Sequence, residues 1–367
     1  PSKLCRSIKK QYSKDGARAF DVAFMEKVYD RPMVVELRKL SEMPQAHERA
    51  LVMDNRTNGC RIGFDLGASD FKISAVKNGK AVYSDEFPWD PRNQTDPDYH
   101  YNKLNEGLKI AASKLPRVDA IGGSSAGVIV DNRIRVASLL RSIPEARYAE
   151  AQNMFVRLAE EWKVPIEVAN DGDVTALAGL MSLGKKGILG VAMGSSEAVG
   201  FIDRNGCLTG RLSELAFAPV DLHPEAPADE WSGDIGVGAM YFSQQAVNHL
   251  ALKKGMRFPA KMALPQRLER VQERMAEGDV TALRIYQKIG LYLGYTVPWY
   301  REFYGFDSMM ILGRVTSGAG GVMILETARL ILADQFPEIA EQVEVFMPDE
   351  KARRVGQSVA AASLPVL

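Results

Sequence analysis

The feature that most constrains this chain is a pair of similar segments, each made of a strand, a short turn of small residues and a second strand. The first reads GFDLGASDFK over residues 63–72, and the second reads VAMGSSEAVG over residues 191–200. Small residues let backbone N–H groups approach an anion closely, and serine hydroxyls add donors. Either segment alone is typical of an ordinary tight hairpin. Together they predict two turns that hold phosphate groups.

Apolar periodicity around the turns predicts how the rest of the chain folds. Strands are expected over residues 33–37, 60–66, 71–75, 81–87, 120–122, 165–169, 187–193, 198–203 and 309–312. Helices are expected over residues 20–29, 101–115, 145–162, 239–252, 265–275, 280–295 and 320–332. This order predicts α/β layers, and the hairpin that opens each half of the chain predicts two similar lobes.

Composition narrows the class of protein. The chain has 367 residues, of which 46% are hydrophobic, and its 46 basic residues balance its 46 acidic ones. This length suffices for two lobes with separate cores, and the zero net charge predicts neither a nucleic-acid nor a membrane partner. Three cysteines far apart predict free thiols in a reducing compartment. Without an apolar run of roughly 18 residues or a secretory core near residue 1, we expect a cytoplasmic protein.

A polar corner lies between the two turns, where the segment VPIEVANDGDVTALA covers residues 164–178. Its pattern is a strand, a corner and a helix. Asp and Asn are favoured helix N-caps, so one reading of the corner is a cap alone. If Asp173 serves as that cap, Asp171 is left to face a cleft.

These segments together resemble the superfamily of actin, hexokinase and the heat-shock chaperones, in which two turns clamp ATP from opposite lobes. The third matching segment, MILGRVTSG over residues 310–318, stands where the adenosine segment does. From about Cys60 onward the chain resembles the ROK family (repressors, open reading frames and kinases). The implied fold is a two-lobed, ribonuclease H-like α/β fold with an interlobe cleft. The expected parts are an extension (1–58), a small lobe (59–172), a larger lobe (173–345) and a returning C-terminal helix (346–367).

The resemblance implies roles for individual residues. Asp171 becomes the general base that accepts a proton from the acceptor hydroxyl, and Asp65 holds Mg²⁺ through water. The implied acceptor contacts are Asn170, Glu214, Ser125, Gly127 and Ser138. The implied ATP contacts are Asp65, Gly67, Ser69, Gly194, Ser195, Ser196 and Gly313. This set suits phosphoryl transfer, which needs positioning and charge neutralisation more than covalent help.

The family's zinc site is where the resemblance breaks. Glu214 is kept, but Phe217 stands at the position of a histidine that binds both sugar and zinc. The run EWSGDIGVGA over residues 230–239 keeps the family's glycines, yet every zinc-binding cysteine is gone and the closing Glu is Ala239. We therefore expect no zinc site. Nearby polar residues either replace the lost sugar contacts or are ordinary solvated loop residues; they are Asp221, His223, Asp229 and Glu230.

Three functions follow from these observations. The first is an ATP-dependent kinase of a sugar or related polyol, whose acceptor differs from glucose or binds through other groups. The second is a non-catalytic relative that binds a small ligand or nucleotide and acts as a regulator. A DNA-binding repressor is disfavoured, because residues 1–58 are interrupted by Pro32 and Pro44 and contain no clear recognition helix. That extension is expected to pack on the first lobe or to contact a second copy in a homodimer.

Overall fold

The computed structural model describes residues 2–45, 50–53, 56–67, 70–348 and 356–367. They form two compact units. The first unit comprises residues up to 49, 56–170 and 361–367, and the second comprises residues 50–55 and 171–360. Each unit combines one main sheet with packed helices, so the α/β class predicted from the sequence is confirmed.

The helices and strands agree with most of the periodicity. The helices are α1 (Ser2–Gln11), α2 (Ala19–Tyr29), α3 (Pro97–Ala112), α4 (Tyr148–Gln152), α5 (Met154–Trp162), α6 (Asp171–Leu183), α7 (Gln244–Lys253), α8 (Leu264–Ala276), α9 (Val280–Tyr304), α10 (Gly318–Gln335), α11 (Pro337–Gln342) and α12 (Gln357–Ala361). The strands are β1 (Leu51–Val52), β2 (Cys60–Leu66), β3 (Asp70–Lys77), β4 (Lys80–Pro88), β5 (Ala120–Ser125), β6 (Val128–Val130), β7 (Arg133–Val136), β8 (Ile166–Asn170), β9 (Ile188–Met193), β10 (Glu197–Ile202), β11 (Cys207–Leu208), β12 (Ser308–Leu312) and β13 (Glu344–Phe346).

The sheet of the first unit has the strand order β4-β3-β2-β5-β8. Strands β2, β3 and β4 form an antiparallel meander, while β2, β5 and β8 run parallel. Helices α3 and α5 cover one face, where the rings of Phe64 and Phe155 stack with centroids 5.7 Å apart. A side chain at Gly107 of α3 would come within 2.4 Å of Ile73, so this glycine permits close helix–sheet packing.

The sheet of the second unit has the strand order β1-β11-β10-β9-β12-β13. Helix α6 crosses β10 at an unusually short distance, because Gly172 of the helix meets Gly200 of the strand. A Cβ at Gly200 would lie 2.0 Å from the Gly172 carbonyl oxygen, and one at Gly172 would lie 2.3 Å from the Val199 oxygen. The larger core lies beside α9, around the fully buried Tyr286 and Leu293.

Both ends of the described chain add to the first unit. Helix α2 buries Val22, Phe24 and Val28 there, so the extension packs on the first unit as one of the two expected alternatives. Near the C-terminus, Arg61 Nη1 donates hydrogen bonds to the carbonyl oxygens of Ala362 and Pro365, at 3.2 Å and 2.9 Å. Residues 361–367 thereby complete this unit.

Three predicted elements were wrong in detail. Residues 33–37 form no strand, and Val34 and Leu37 are 66% and 58% exposed. The helix predicted over 145–162 is interrupted at Asn153, whose side-chain amide donates to the Ala149 carbonyl oxygen at 2.7 Å. The helix predicted over 239–252 begins only at residue 244, because the Ser243 hydroxyl caps it by accepting from the backbone N–H of residue 245. None of the helices within the described ranges is both long enough and apolar enough to cross a bilayer.

Candidate active site

Three of the predicted site residues lie at the carboxyl ends of neighbouring parallel strands in the first unit. Asp65 of β2 stands opposite Ser124 of β5, and Ser125 stands opposite Asn170 of β8. The Ser124 hydroxyl donates a hydrogen bond to Asp65 Oδ1 at 2.6 Å. Because parallel strands end at one edge of a sheet, the sequence brings Asp65, Ser125 and Asn170 together there.

Gly127 and Ser138 belong to the same edge. The Asn170 side-chain amide donates to the Gly127 carbonyl oxygen at 2.8 Å, which fixes the orientation of the amide. Gly127 has a φ of +103°, and a Cβ there would lie 2.3 Å from the Val136 carbonyl oxygen. The position therefore requires glycine. Ser138 directly follows Ala137, which also packs against Gly127.

The first turn is held from both sides. The backbone N–H of Gly67 donates to the Asp70 carbonyl oxygen at 3.0 Å, and the Trp89 indole N–H donates to the Gly67 oxygen at 2.9 Å. Leu66 pairs with Phe71 across the hairpin. The predicted phosphate contact Ser69 lies outside the described residues.

The second turn joins β9 to β10 in the second unit. The Gly194 N–H donates to the Ser196 carbonyl oxygen at 3.0 Å, and both Ser195 and Ser196 are exposed at the tip. Gly313 follows β12, which runs parallel to β9, and a Cβ on Gly313 would lie 2.6 Å from the Met193 carbonyl oxygen. The structure thus brings Gly313 and the Gly194–Ser196 turn together at one sheet edge.

Three carboxyl groups gather near the start of α6. Asp171 and Asp173 occupy its first turn, and Glu214 precedes the 3₁₀ turn Leu215–Phe217. Burial raises the pKa of Glu214 to about 7, and the negative charge of Asp171 adds to the shift. Burial also raises the pKa of Asp173 to about 7, with the charges of Glu214 and Asp171 acting in the same direction. The three groups therefore share fewer than three negative charges near neutral pH.

Asp173 does not act as the expected cap. It lies inside α6, and its carboxylate accepts a hydrogen bond from the backbone N–H of Phe201 in β10. Asp173 thereby ties the helix to the sheet. Asp171 Oδ1 instead accepts from the next residue, the N–H of Gly172, at 3.1 Å. Gln357 of α12 donates to the Asp171 carbonyl oxygen at 3.1 Å, so the backbone of Asp171 is held by a second contact.

Glu197 is a buried acid that the sequence reasoning missed. Its side chain is only 4% exposed at the start of β10, directly after the second turn. The Tyr300 hydroxyl donates to Glu197 Oε1 at 3.2 Å, whereas Oε2 has no hydrogen-bond partner among the described residues. Oε2 lies against Gly238, where an added Cβ would approach it to 2.1 Å. Burial raises the pKa of Glu197 to about 8. The sequence did contain a signal for this buried acid, because Glu197 is the only charged residue in the otherwise apolar strand β10.

The loop that corresponds to the family's zinc site is stabilised by other contacts. Asp229 Oδ2 accepts from the backbone N–H groups of Trp231 and Ser232, at 3.0 Å and 2.8 Å. The rings of Phe217 and Trp231 meet edge to face at 5.4 Å, and the Tyr241 hydroxyl donates to Asp221 at 2.6 Å. Two of the four nearby polar residues, Asp221 and Asp229, therefore organise the loop. Across the described ranges, no three His, Cys, Asp or Glu side chains are grouped to hold a metal ion.

The known proteins that this chain resembles were found among solved structures. No family model and no curated protein sequence matches the chain. The ROK hexokinase from Thermus thermophilus is similar with a TM-score of 0.64 and 17% identity, over 84% of this chain and 98% of that chain. The ROK family glucokinase from Streptomyces griseus, in complex with glucose and AMPPNP, is similar with a TM-score of 0.65 and 17% identity, over 84% of this chain and 99% of that chain.

A protein of a different class shares the same fold. The ROK family transcriptional regulator described as a homologue of the E. coli MLC protein is similar with a TM-score of 0.63 and 16% identity, over 83% of this chain and 78% of that chain. These similarities show that the chain has the actin- and hexokinase-type α/β fold of the ROK proteins, as its motifs predicted.

Proposed function

We propose that this chain is an ATP-dependent phosphotransferase that acts on a hydroxyl of a sugar or related polyol. The observation that carries the proposal is the group of three carboxyls formed by Asp171, Asp173 and Glu214. Environments that separate the protonation states of neighbouring carboxyls are typical of acid–base sites.

Asp171 is the residue we assign as general base. Its charge contributes to the raised pKa values of both neighbours, so Asp173 and Glu214 hold protons more readily. The carboxylate of Asp171 is then the group that accepts the proton of an acceptor hydroxyl. Glu214 is then able to donate or accept a hydrogen bond to a second hydroxyl. The further acceptor contacts that we propose are Asn170, Ser125, Gly127 and Ser138.

The residues at the two turns fit a nucleotide and its metal ion. Ser195 and Ser196 present exposed hydroxyls beside Gly194 and Gly313, an arrangement suited to phosphate oxygens. The carboxylate of Asp65 is the hard oxygen donor that Mg²⁺ prefers, acting through water. When bound, the ATP–Mg²⁺ complex would supply the phosphoryl group and neutralise part of its charge. The proposed ATP contacts in the first turn are Gly67 and Ser69.

The acceptor is expected to differ from glucose. Phe217 and Ala239 replace two polar contacts of the family's sugar site, and the Phe217 ring packs on Trp231. A glucose hydroxyl left without its partner at such a site would cost about 1–3 kcal/mol of binding free energy. An acceptor with fewer hydroxyls, or one held by other groups of the loop, avoids this cost.

The alternative is a non-catalytic regulator that binds a nucleotide or small ligand. The same replacements at Phe217 and Ala239 favour it, and the similar structures include a transcriptional regulator. Retention of Asp65, Asp171 and Glu214 favours the kinase.

Calorimetry and an acceptor screen separate the two functions. The purified chain is titrated with ATP–Mg²⁺, and ADP release is then measured over a panel of hexoses, amino sugars, sugar alcohols and cyclitols. Acceptor-dependent ADP release supports the kinase. Binding of nucleotide or sugar without turnover on any acceptor supports the regulator, and no ATP binding at about millimolar concentration rejects the kinase.

A further inference from the structure

We infer that Glu197 is a positioning residue that, together with Tyr300, fixes the turn next to the proposed acceptor contact Glu214. The role of Glu214 itself belongs to the proposed function, on which this inference rests. Glu197 is 4% exposed at the first residue of β10, directly after the second turn, and the proposed chemistry does not use its carboxyl group. Burial of an acid is costly, so such a group is rarely buried without a role.

The two carboxyl oxygens of Glu197 face different parts of the second unit. Oε1 accepts a hydrogen bond from the Tyr300 hydroxyl of α9 at 3.2 Å. Oε2 and the Leu215 carbonyl oxygen lie around one point, the position that a Cβ on Gly238 would take, at 2.1 Å and 2.5 Å from it. The Tyr300 hydroxyl oxygen is 3.1 Å from the same point. Glycine at residue 238 therefore leaves the space in which the carboxyl group approaches the Leu215 backbone.

A neutral carboxyl group suits this position better than a carboxylate. Burial raises the pKa of Glu197 to about 8, so the group holds a proton at neutral pH. Oε2 has no hydrogen-bond partner among the described residues, and the neighbouring oxygen of Leu215 is a carbonyl. A proton on Oε2 can be directed toward that carbonyl oxygen, whereas a negative charge on Oε2 would repel it.

The other ionisable groups around Glu197 belong to α9. Tyr300 hydrogen-bonds to Glu197, and the charge of Glu197 acts on Tyr304, one helical turn further along. Burial raises the pKa of both tyrosines above its ordinary value, so both stay neutral when Glu197 ionises. Strand β9 and the 3₁₀ turns at residues 215–217 and 238–240 contain no ionisable side chain. The charge at this position is therefore set by Glu197 itself.

Helix α9 holds the backbone on both sides of Glu214. On the earlier side, the side chain of Tyr304 hydrogen-bonds to Ser213, the residue before Glu214. On the later side, the carboxyl group of Glu197 stands between α9 and Leu215, the residue after Glu214. A carboxyl contact to an acceptor hydroxyl needs correct placement within hydrogen-bond distance. Loss of the support on the later side should therefore weaken binding of the acceptor.

Binding of ATP should depend much less on this support. The second turn is closed by its own backbone, through the hydrogen bond from the Gly194 N–H to the Ser196 carbonyl oxygen at 3.0 Å. This closure does not involve the Glu197 side chain. A variant without the support should then show a raised KM for the acceptor and an unchanged KM for ATP.

Hydrogen–deuterium exchange of the full chain measures the turn directly. Its reporters are the N–H groups of Phe217 and Ala218, which donate to carbonyl oxygens within the turn at 3.1 Å and 2.9 Å. Tyr300→Phe removes the hydroxyl that holds the carboxyl group and should speed exchange at both N–H groups about three- to tenfold. With an acceptor from the screen, it should raise the KM for the acceptor by a similar factor.

Tyr286→Phe is the matched control on the same helix. Tyr286 and Tyr300 are both buried, but the Tyr286 hydroxyl has no hydrogen-bond partner among the described residues. Its removal should leave the exchange rates and both KM values unchanged. Circular dichroism verifies that each variant is folded.

Glu197→Gln separates positioning from simple packing. Its amide N–H can be directed toward the Leu215 carbonyl oxygen, and its amide oxygen still accepts from Tyr300, so it should exchange like wild type at neutral pH. Above about pH 8 the wild-type carboxyl group ionises. Exchange in the turn should then become faster in wild type than in Glu197→Gln at the same pH, and the KM for the acceptor should rise in wild type alone.

Three results would overturn the inference. They are equal exchange in Tyr300→Phe and Tyr286→Phe, exchange in Glu197→Gln at neutral pH as fast as in Tyr300→Phe, and identical exchange in wild type and Glu197→Gln at about pH 9. Absence of turnover on every acceptor rejects the proposed kinase but leaves the exchange measurements intact. The two failures are therefore distinguishable.

Discussion

Replacement of the buried acid Glu197 by glutamine should make the protein more stable and less sensitive to pH. Burial raises the pKa of Glu197 from its ordinary 4.5 to about 8 in the folded chain. Between these two values the folded state holds a proton that the unfolded state has released. The free energy of unfolding therefore falls by about 1.4 kcal/mol for each pH unit above 4.5, and the loss is complete near pH 8.

The change in the free energy of unfolding follows from the pH range between the two pKa values, 4.5 and about 8. At pH 7, proton uptake by Glu197 costs the folded state about 3 kcal/mol. Glutamine has the same shape and no proton to take up, and its amide oxygen still accepts from the Tyr300 hydroxyl. Glu197→Gln should then raise the free energy of unfolding by about 3 kcal/mol at pH 7 and by almost nothing near pH 4.5.

Urea denaturation followed by tryptophan fluorescence, repeated between pH 4.5 and 8, measures this difference. Glu269→Gln is the matched control, since Glu269 lies exposed on α8 of the same unit. The other carboxyls with raised pKa values, Asp173 and Glu214, titrate in both proteins and cancel in the comparison. Parallel stability curves for wild type and Glu197→Gln, or a variant that is less stable at pH 7, would refute a neutral, buried Glu197.

Further predictions concern the proposed chemistry. Asp171→Asn should lower kcat about 10²–10⁴-fold with little change in KM, whereas Asp173→Asn should keep its turnover; steady-state kinetics with an acceptor from the screen decide, and the reverse pattern would identify Asp173 as the base. Asp65→Ala should weaken Mg²⁺-dependent ATP binding in calorimetry, and unchanged affinity would remove Asp65 from the metal site. Elemental analysis of the purified protein should find no stoichiometric zinc, and one zinc per chain would show that the loop around Asp229 has been misread.

The sequence was informative where backbone geometry demands particular residues. The two small-residue turns and the corner at Asn170 and Asp171 carried the resemblance that implied the fold, because few folds place two such hairpins on either side of a polar corner. Gly127 and Gly313, which the resemblance implied as contacts for the acceptor and for ATP, are two such positions. Both have φ near +100° and pack against a neighbouring backbone, so another residue would be strained there.

Tertiary contacts decided what the sequence left open. Residues 33–37 have strand periodicity, but no strand among the described residues pairs with them, so they join no sheet. Asp173 has the sequence position of a helix cap, yet its carboxylate instead accepts a hydrogen bond from the backbone N–H of Phe201 in β10. Glu197 reads as a surface residue after a turn and is buried only because Tyr300 and Gly238 close over it.

The glycine contact between α6 and β10 also bears on how this protein could be altered. Because Gly172 and Gly200 meet backbone to backbone, the backbone next to Asp171 is positioned by a contact that involves no side chain. The loop that contains Glu214 and Phe217 is built separately, from turns and ring contacts. Its side chains are therefore open to redesign for new acceptors, while the proposed base Asp171 keeps its position. Randomised libraries should accept many sequences in that loop and almost none at the two glycines.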